Sequence, residues 1–264
     1  MRILLANVTE SLPEAFEEIL HDIFSKVCRD STELTIRCIS PSVARLSDVS
    51  YAYNRLLNSR GFCESVIQAQ QEGFDAVITT CSADAGVREA RELVDIPLIA
   101  PGETSIHYAS LLGKTFGVVT MQERGVIEVW RDVIINSGLQ SKAVTDPVRG
   151  VNLSAYDAAT KGMADTSIII RAVEEKAREL VCDGAEVIVV GCSLYGPICT
   201  AAGFVKLEGN VPIVDVMTIS FKMAEFMVDL KNSLGLPVLS RVGRYQRMRD
   251  KDMQRTRAHF GLVK

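Results

Sequence analysis

Two similar apolar stretches, each ending in a cysteine, constrain the fold of this chain more than any other feature of its sequence. Residues 74–86 are FDAVITTCSADAG and residues 185–196 are AEVIVVGCSLYG, so a short β-branched run leads to Cys81 or Cys192 and then to small residues. This pattern is typical of a buried parallel strand that ends in a loop before a helix. The cysteines are 192 − 81 = 111 positions apart, about the length of one small domain.

Apolar runs of strand length alternate with helical periodicity along the chain. Besides the two cysteine stretches, strands are predicted at residues 3–6, 34–39, 98–100, 116–120 and 211–215. Helical spacing is found at residues 51–72, where Gly61 predicts a break, and at 103–112, 122–137, 164–182, 197–209 and 216–230. Such alternation predicts parallel sheets that helices cover on both faces.

The two halves of the chain repeat one another. In each half a long helix leads through a glycine to a cysteine strand, and a later strand begins around Pro97 or Pro212. We therefore predict two pseudo-symmetric α/β domains of the Rossmann-like (flavodoxin-like) kind, with parallel sheets and a cleft between the domains. Ligands of such sheets bind beyond the carboxyl ends of the strands, which is where both cysteines lie.

The composition is that of an ordinary globular protein. Hydrophobic residues make up 47% of the 264 residues and charged residues 23%, as is usual for such proteins. A net charge of −4 and an aromatic content of 6% argue against a nucleic-acid partner. No apolar run reaches the roughly 18 residues of a membrane span, and residues 1–8 fit a buried strand better than a signal sequence. We expect a cytoplasmic protein without membrane or nucleic-acid partners.

The cysteines do not suggest disulfides or a metal site. The seven are odd in number and include no CxxC pair, and the three histidines are scattered along the chain. We therefore expect free thiols and no metal ligands. A lone cysteine at a strand end is usually a core residue, but the matched pair in matched contexts favours a functional role for Cys81 and Cys192. The other five are predicted to pack in the interior: Cys28, Cys38, Cys63, Cys182 and Cys199.

Several blocks spread over nearly the whole chain resemble one enzyme family. They are Asn7, Cys81 with Asp84 and Gly86, PGE at 101–103, HYASLLG at 107–113, VVT at 118–120, GC at 191–192 and VPIVD at 211–215. Together they resemble the aspartate/glutamate/hydantoin racemase superfamily, and most closely its hydantoin racemase branch. The resemblance implies a first domain of residues 1–102 with 215–264, on which the end of the chain packs, and a second domain of residues 103–214.

The resemblance implies acid–base catalysis by the two thiols without any cofactor. One thiolate takes a proton from a carbon next to a carbonyl, and the opposing thiol returns a proton to the other face. Each cysteine precedes a predicted helix start, where backbone N–H groups can lower the pKa of a thiol and stabilise an enolate oxygen. Cys81 and Cys192 are therefore the predicted catalytic residues.

Residues near the cysteines and at other strand ends are the predicted substrate ligands. Ser82, Ala83 and Ser193 adjoin the thiols, and the two serines can donate hydroxyl hydrogen bonds. Asn7 and Thr120 lie at other strand ends, and Gln122 is close enough to reach the same cleft. Asp84 is interpreted as a helix cap, and Asp215 as a residue that orients a loop.

The leading hypothesis is a racemase of a small molecule, most simply a 5-substituted hydantoin, and a homo-oligomer is the expected assembly. An aspartate or glutamate racemase is less favoured, because the cysteine blocks of those enzymes are usually Cys-Asn-Thr and Cys-Thr-His. A maleate-type isomerase would use one cysteine as a nucleophile, and a related decarboxylase keeps only one of the two cysteines. A small-ligand sensor on the same fold is the non-enzyme alternative.

Overall fold

The computed structural model describes residues 1–262. Short strands alternate with helices along the chain. The strands are β1 (Arg2–Thr9), β2 (Glu33–Val43), β3 (Ala76–Thr79), β4 (Leu98–Ile99), β5 (Phe116–Met121), β6 (Ala143–Val151), β7 (Val187–Val190) and β8 (Ile213–Asp215).

The helices cover both faces of the sheets. They are α1 (Glu14–Val27), α2 (Ala52–Gln71), α3 (Val87–Ala90), α4 (Pro101–Leu112), α5 (Arg124–Ser137), α6 (Ala155–Asp157), α7 (Thr166–Cys182), α8 (Tyr195–Ala201), α9 (Val216–Leu234) and α10 (Asp250–His259). Turns of 3₁₀ helix occupy Leu46–Ser50, Gln140–Lys142 and Glu208–Asn210, and a π-helical turn occupies Ala158–Gly162. Within residues 1–262 no helix combines the length and the apolarity that crossing a bilayer requires.

The strands form two parallel four-stranded sheets with the same order. The first sheet has the order β2-β1-β3-β4 and the second the order β6-β5-β7-β8, and all strand pairs are parallel. The strands that precede the two cysteines, β3 and β7, therefore hold equivalent places in the two sheets. The predicted α/β architecture with two pseudo-symmetric parallel sheets is confirmed.

Side-chain alternation along β1 shows how each sheet is buried on both faces. Ile3 and Leu5 belong to the larger core, which continues into the second sheet, whereas Leu4 and Ala6 belong to a smaller core with Phe62 of α2. Successive side chains of a strand point to opposite faces, so a run of consecutive apolar residues fills two cores at once. This is why the strands are continuous hydrophobic runs in the sequence.

Helix α2 continues through Gly61, where the sequence predicted a break. Strand β2 passes so close to the helix that a Cβ atom at position 61 would be 2.1 Å from the carbonyl oxygen of Pro41. The glycine is needed for this close approach rather than for a bend.

The helix predicted at 197–209 is also shorter than expected, because α8 ends at Ala201 and Gly203 follows with a φ of +76°.

The C-terminal segment packs against the first sheet and its helices. Arg241 donates to the carboxylate of Asp95 at 2.5 Å, and Met253 of α10 packs against the smaller core. Arg257 of α10 pairs with Glu64 of α2. Helix α9 contacts strands of both sheets, namely β3, β4 and β8. The division into residues 1–102 with 215–264 and residues 103–214 therefore stays a prediction.

Candidate active site

The two predicted catalytic cysteines occupy equivalent positions, each two residues beyond the end of a strand. Cys81 follows Thr79 of β3, and Cys192 follows Val190 of β7. Both line one cavity of about 80 Å³ between the sheets, which we call the reactive cavity. Cys192 is buried, whereas Cys81 is partly exposed. The fold thus brings together two thiols from distant parts of the chain.

The loops that carry the thiols are joined directly. The Ser82 hydroxyl donates to the carbonyl oxygen of Gly191 at 2.6 Å, and the Trp130 indole N–H donates to the same oxygen at 3.0 Å. A Cβ atom at position 191 would be 2.5 Å from the Trp130 ring, so only a glycine lets the loop lie on the indole. The hydroxyl of Ser82, predicted to bind substrate, is therefore occupied by the opposing loop.

Burial disfavours the thiolate form of both cysteines. It raises the pKa of Cys81, against the effect of hydrogen bonds from the backbone of Ala85 and Ala83. Burial likewise raises the pKa of Cys192 to about 11, against hydrogen bonds from the backbone of Tyr195 and Leu194. The predicted N–H donors are present, but the cost of removing a thiolate from water outweighs them.

Glu123 is a neighbour of Cys192 that the sequence analysis missed. One of its carboxylate oxygens is buried without a hydrogen-bond partner, and its negative charge contributes to the raised pKa of Cys192. One signal in the sequence could have indicated it. Glu123 follows the end of β5, and β5 is the neighbour of β7, which leads to Cys192; ligands of parallel sheets bind at these strand ends.

Two predicted ligands beside the reactive cavity have side-chain hydroxyl groups without a partner. Thr120 and Ser193 both line it, and their side-chain oxygens are buried without a hydrogen-bond partner. Buried hydroxyls in proteins are nearly always paired, so these two groups are available to a bound molecule. Ala83 also lines the cavity and contributes no polar side-chain group.

The other two predicted ligands do not reach the reactive cavity. Asn7 is buried, and its amide donates to the main-chain oxygen of Thr9 and accepts from the Thr80 hydroxyl, at 3.1 Å in each case. It lines an adjacent cavity instead. Gln122 is exposed and lies beside Gly150 of β6. Residue 122 is not part of the wall around the thiols.

Other lining residues come from helices that no local pattern connected with the cysteines. Arg55 of α2 lines the reactive cavity, and its Nη1 donates to the carbonyl oxygens of Val49 and Ser50. The positive charge of Arg55 acts to lower the pKa of Cys81. The remaining wall is mostly apolar and includes Val8, Val49, Met121, Val126, Val129 and Trp130. Residues from α2 and α5 enter the site only because the two sheets face each other.

Two carboxylates, the half-buried Asp84 and the buried Asp215, hold the backbone around the site. Asp84 accepts from the amides of Gly102 and Glu103 at 2.8 and 2.7 Å, and so caps the first turn of α4. Asp215 accepts from the amide of Met217 at 3.0 Å at the start of α9. The interpretation of Asp84 as a helix cap is confirmed, although the helix it caps is not the one that follows it.

The unused cysteines do not face the reactive cavity. Cys28, Cys63 and Cys199 have pKa values raised by burial to about 12, as expected for interior packing, whereas Cys182 is exposed and its predicted burial was wrong. Among residues 1–262 no group of three histidine, cysteine, aspartate or glutamate side chains is arranged to hold a metal ion.

Two larger cavities flank the reactive cavity and share lining residues with it. One, which we call the outer chamber, has a volume of about 320 Å³ and shares Arg55, Ala83 and Val129. The other, the apolar chamber, has about 200 Å³, shares Ser193 and Leu194, and has walls of mainly apolar residues. The thiols therefore lie at a narrow point between a charged and an apolar space.

Comparison with known proteins gives consistent matches over most of the chain. The family model described as Asp/Glu/Hydantoin racemase matches residues 6–224. A hydantoin racemase of Pseudomonas sp. (strain NS671) is 27% identical over 234 residues, which cover 87% of this chain and 86% of the relative. A hydantoin racemase of Paenarthrobacter aurescens is 25% identical over 241 residues, which cover 87% and 92%.

Solved structures share the fold at lower identity. An allantoin racemase from Klebsiella pneumoniae superposes with a TM-score of 0.76 at 24% identity, covering 95% of this chain and 94% of that one. A glutamate racemase from Bacillus anthracis superposes with a TM-score of 0.58 at 14% identity, covering 89% and 83%. These likenesses support the two-sheet architecture.

Proposed function

The chain belongs to the Asp/Glu/hydantoin racemase family, and on that premise we propose that it racemises 5-substituted hydantoins with Cys81 and Cys192 as its acid–base pair. The observation that carries this proposal is that both thiols line one small cavity from equivalent strand ends. The curated relatives named hydantoin racemase support the choice of substrate class.

In the proposed reaction the two thiols exchange roles in every turnover. The thiolate on one face of the ring takes the proton from C5 and becomes a thiol. The electron pair of the broken C–H bond moves into the ring as an enolate, whose charge lies on the oxygen of the adjacent carbonyl. The thiol on the opposite face then donates its proton to C5 and becomes the thiolate, which is ready for the other enantiomer.

The walls of the reactive cavity support the charge that develops on the ring. The hydroxyl groups of Thr120 and Ser193 have no other partner and can donate to ring oxygens. In a site from which water is excluded, such fixed donors stabilise an enolate more than they do in bulk water. The guanidinium of Arg55 adds a positive charge on the same wall.

The raised thiol pKa values fit this chemistry. A base whose conjugate acid has a high pKa is a stronger proton acceptor once it is ionised, and the neutral partner thiol remains a competent acid. Arg55 and the backbone N–H groups beside Cys81 favour its thiolate, and Glu123 and Asp215 favour the neutral form of Cys192. We therefore propose that Cys81 is the thiol that ionises first, in the fraction of the enzyme that is active.

The test is racemisation in D₂O of single-enantiomer hydantoins that carry benzyl, isobutyl or ureido groups at C5, the last being allantoin. Optical rotation and ¹H NMR are followed together, and the spontaneous rate is subtracted. We expect the loss of rotation to be accompanied by deuterium at C5. Loss of rotation without deuterium would contradict the two-thiol mechanism. Binding without turnover would favour the sensor alternative, and a stable mass adduct on one cysteine would favour the isomerase.

A further inference from the structure

The reactive cavity is too small to hold a substituted hydantoin by itself. Its volume of about 80 Å³ is well below the roughly 300 to 1,000 Å³ of most small-molecule sites. If the hydantoin ring lies between the thiols, the substituent at C5 must extend into a neighbouring space. The outer chamber, with about 320 Å³, is the larger of the two that adjoin it.

The outer chamber has unused positive charge in its walls. Arg91 pairs with Glu103 at 2.8 Å and donates to the Tyr245 hydroxyl at 3.2 Å, but its Nε is buried without a partner. Arg244 lies on the same wall with an exposed side chain. Arg55 lies at the mouth shared with the reactive cavity, where its Nη1 is held by backbone carbonyl oxygens.

Two of the four carboxylates that line the chamber are already occupied. Asp84 is occupied by two amides of α4, and Glu103 is occupied by Arg91. Glu89 and Asp132 line the chamber with exposed side chains, as Arg88 and Arg244 do. Among the chamber's residues, the buried polar atom without a partner is the Nε of Arg91. It is a donor, which calls for a ligand group that accepts hydrogen bonds.

The C-terminal segment forms the outer wall of this chamber and is held firmly in place. Arg241 donates to the carbonyl oxygen of Arg91 at 2.7 Å and to Asp95 at 2.5 Å, and Arg247 pairs with Asp95 at 3.2 Å. These contacts place Arg244 and Tyr245, which lie between the two clamping arginines, against the chamber. Both residues follow residue 224, where the family match ends, so the family model does not describe this wall.

We propose that the outer chamber is a carboxylate-binding subsite, which gives this chain a preference for hydantoins whose C5 substituent ends in a carboxylate. Arg244 and the Nε of Arg91 are the recognising groups. A carboxylate satisfies both, because its two oxygens can accept charge-assisted hydrogen bonds from two guanidinium groups. The inference rests on the proposed function, since it assumes that the ring lies between the thiols.

The experiment compares two hydantoins that differ only in charge, with 2-carboxyethyl or 2-carbamoylethyl at C5. Dissociation constants are measured by calorimetry on the full-length Cys81→Ala/Cys192→Ala chain, in which no turnover occurs. We expect the carboxylate to bind roughly ten- to a hundredfold more tightly than the amide, from charge-assisted hydrogen bonds in a half-buried site. Arg244→Ala should reduce this ratio to about twofold, and Arg244→Glu should reverse it.

Two further variants make the result decisive. Arg91→Lys keeps the charge but removes the Nε donor, so the ratio should fall without reversing. Arg249→Ala removes a tail arginine that pairs with Asp252 away from the chamber, and the ratio should stay at the parent value. Equal binding of the two hydantoins to the parent chain, or an unchanged ratio in both Arg244→Ala and Arg91→Lys, would overturn the proposal.

Turnover by the chain with both cysteines separates this inference from the proposed function. If both hydantoins are racemised with the same kcat/KM, the racemase proposal stands and the carboxylate subsite is wrong. The opposite outcome is that the carboxylate binds preferentially but none of the hydantoins is racemised, including the benzyl, isobutyl and ureido compounds. The subsite then stands and the proposed reaction is wrong.

Discussion

Gly125, the second residue of α5, lies against the main-chain oxygen of Ser50: a Cβ atom at position 125 would be 2.4 Å from that oxygen. The two residues belong to segments packed on different sheets, and their neighbours Val126 and Val49 both line the reactive cavity. The close approach therefore brings two segments of the cavity wall together beside the thiols, and it is possible because residue 125 has no side chain.

Gly125→Val should open this contact and slow the reaction. The added side chain must displace the Ser50 backbone, and a shift of about 1 Å at a catalytic site can cost roughly a hundredfold in rate. We expect kcat/KM for a hydantoin to fall by about that factor, together with a lower thermal melting midpoint, because overpacking of this kind costs about 1–3 kcal/mol. Glu128→Ala, on the exposed side of α5, is the matched control. A variant with parental activity would show that this contact does not shape the site.

Each single Cys→Ser variant should lose racemisation but still exchange the C5 proton of one enantiomer with solvent. Serine is too weak an acid to supply either function near neutral pH, so we expect racemisation to fall by at least roughly 10²- to 10⁴-fold. The remaining thiol faces one side of the ring only. Cys81→Ser and Cys192→Ser should therefore exchange the C5 proton of opposite enantiomers with D₂O, as ¹H NMR can measure. The exposed Cys182→Ser is the control.

The rate should rise with pH from neutrality into the alkaline range. Burial raises the pKa of Cys81 and raises that of Cys192 to about 11, so at pH 7 only a small fraction of the enzyme carries the required thiolate. Raising the pH increases that fraction, until ionisation of the second thiol near pH 11 removes the acid. Initial rates of kcat/KM between pH 6.5 and 9.5 test this. A profile that is flat or falls with pH would contradict the assignment.

Glu123→Gln should make the thiol of Cys192 more acidic. The Glu123 carboxylate contributes to the raised pKa of Cys192, and removal of a nearby negative charge lowers the free energy of the thiolate. The rate of Cys192 alkylation by iodoacetamide, followed by peptide mass spectrometry against pH, should shift to lower pH. Glu128→Gln, with its exposed side chain, should leave the alkylation profile unchanged. Parental behaviour of the Glu123→Gln chain would exclude this electrostatic coupling.

Ser82→Ala should weaken the link between the two thiol loops. The variant loses the 2.6 Å hydrogen bond to the Gly191 oxygen, which keeps its bond from Trp130. Because the acceptor stays paired, we expect the free energy of unfolding to fall by only about 1 kcal/mol. The looser loops should raise KM for a hydantoin more than they lower kcat. Urea titration and steady-state kinetics measure the two effects, and an unchanged KM would argue against a positioning role for Ser82.

Much of the fold could be predicted because its signals are local. The β-branched runs before Cys81 and Cys192 and the order of helices and strands around them are repeated in the sequence, and parallel sheets require this alternation. The equivalence of the two strand ends followed from that repetition. Gly61 was misjudged because its role is a close approach to Pro41, a contact between elements that no helix propensity describes.

The amino-acid sequence alone determined the strands, their buried character and the two thiols at matching ends, since side-chain periodicity depends on neighbouring residues. Only the tertiary structure decided which groups surround those thiols. It brings in Arg55 from α2, leaves Gln122 exposed and occupies the Ser82 hydroxyl. It also places Arg244 of the tail beside the outer chamber. Burial, charge and hydrogen bonding at a site are sums over residues far apart in the chain, and folding is what brings those residues within range of one another.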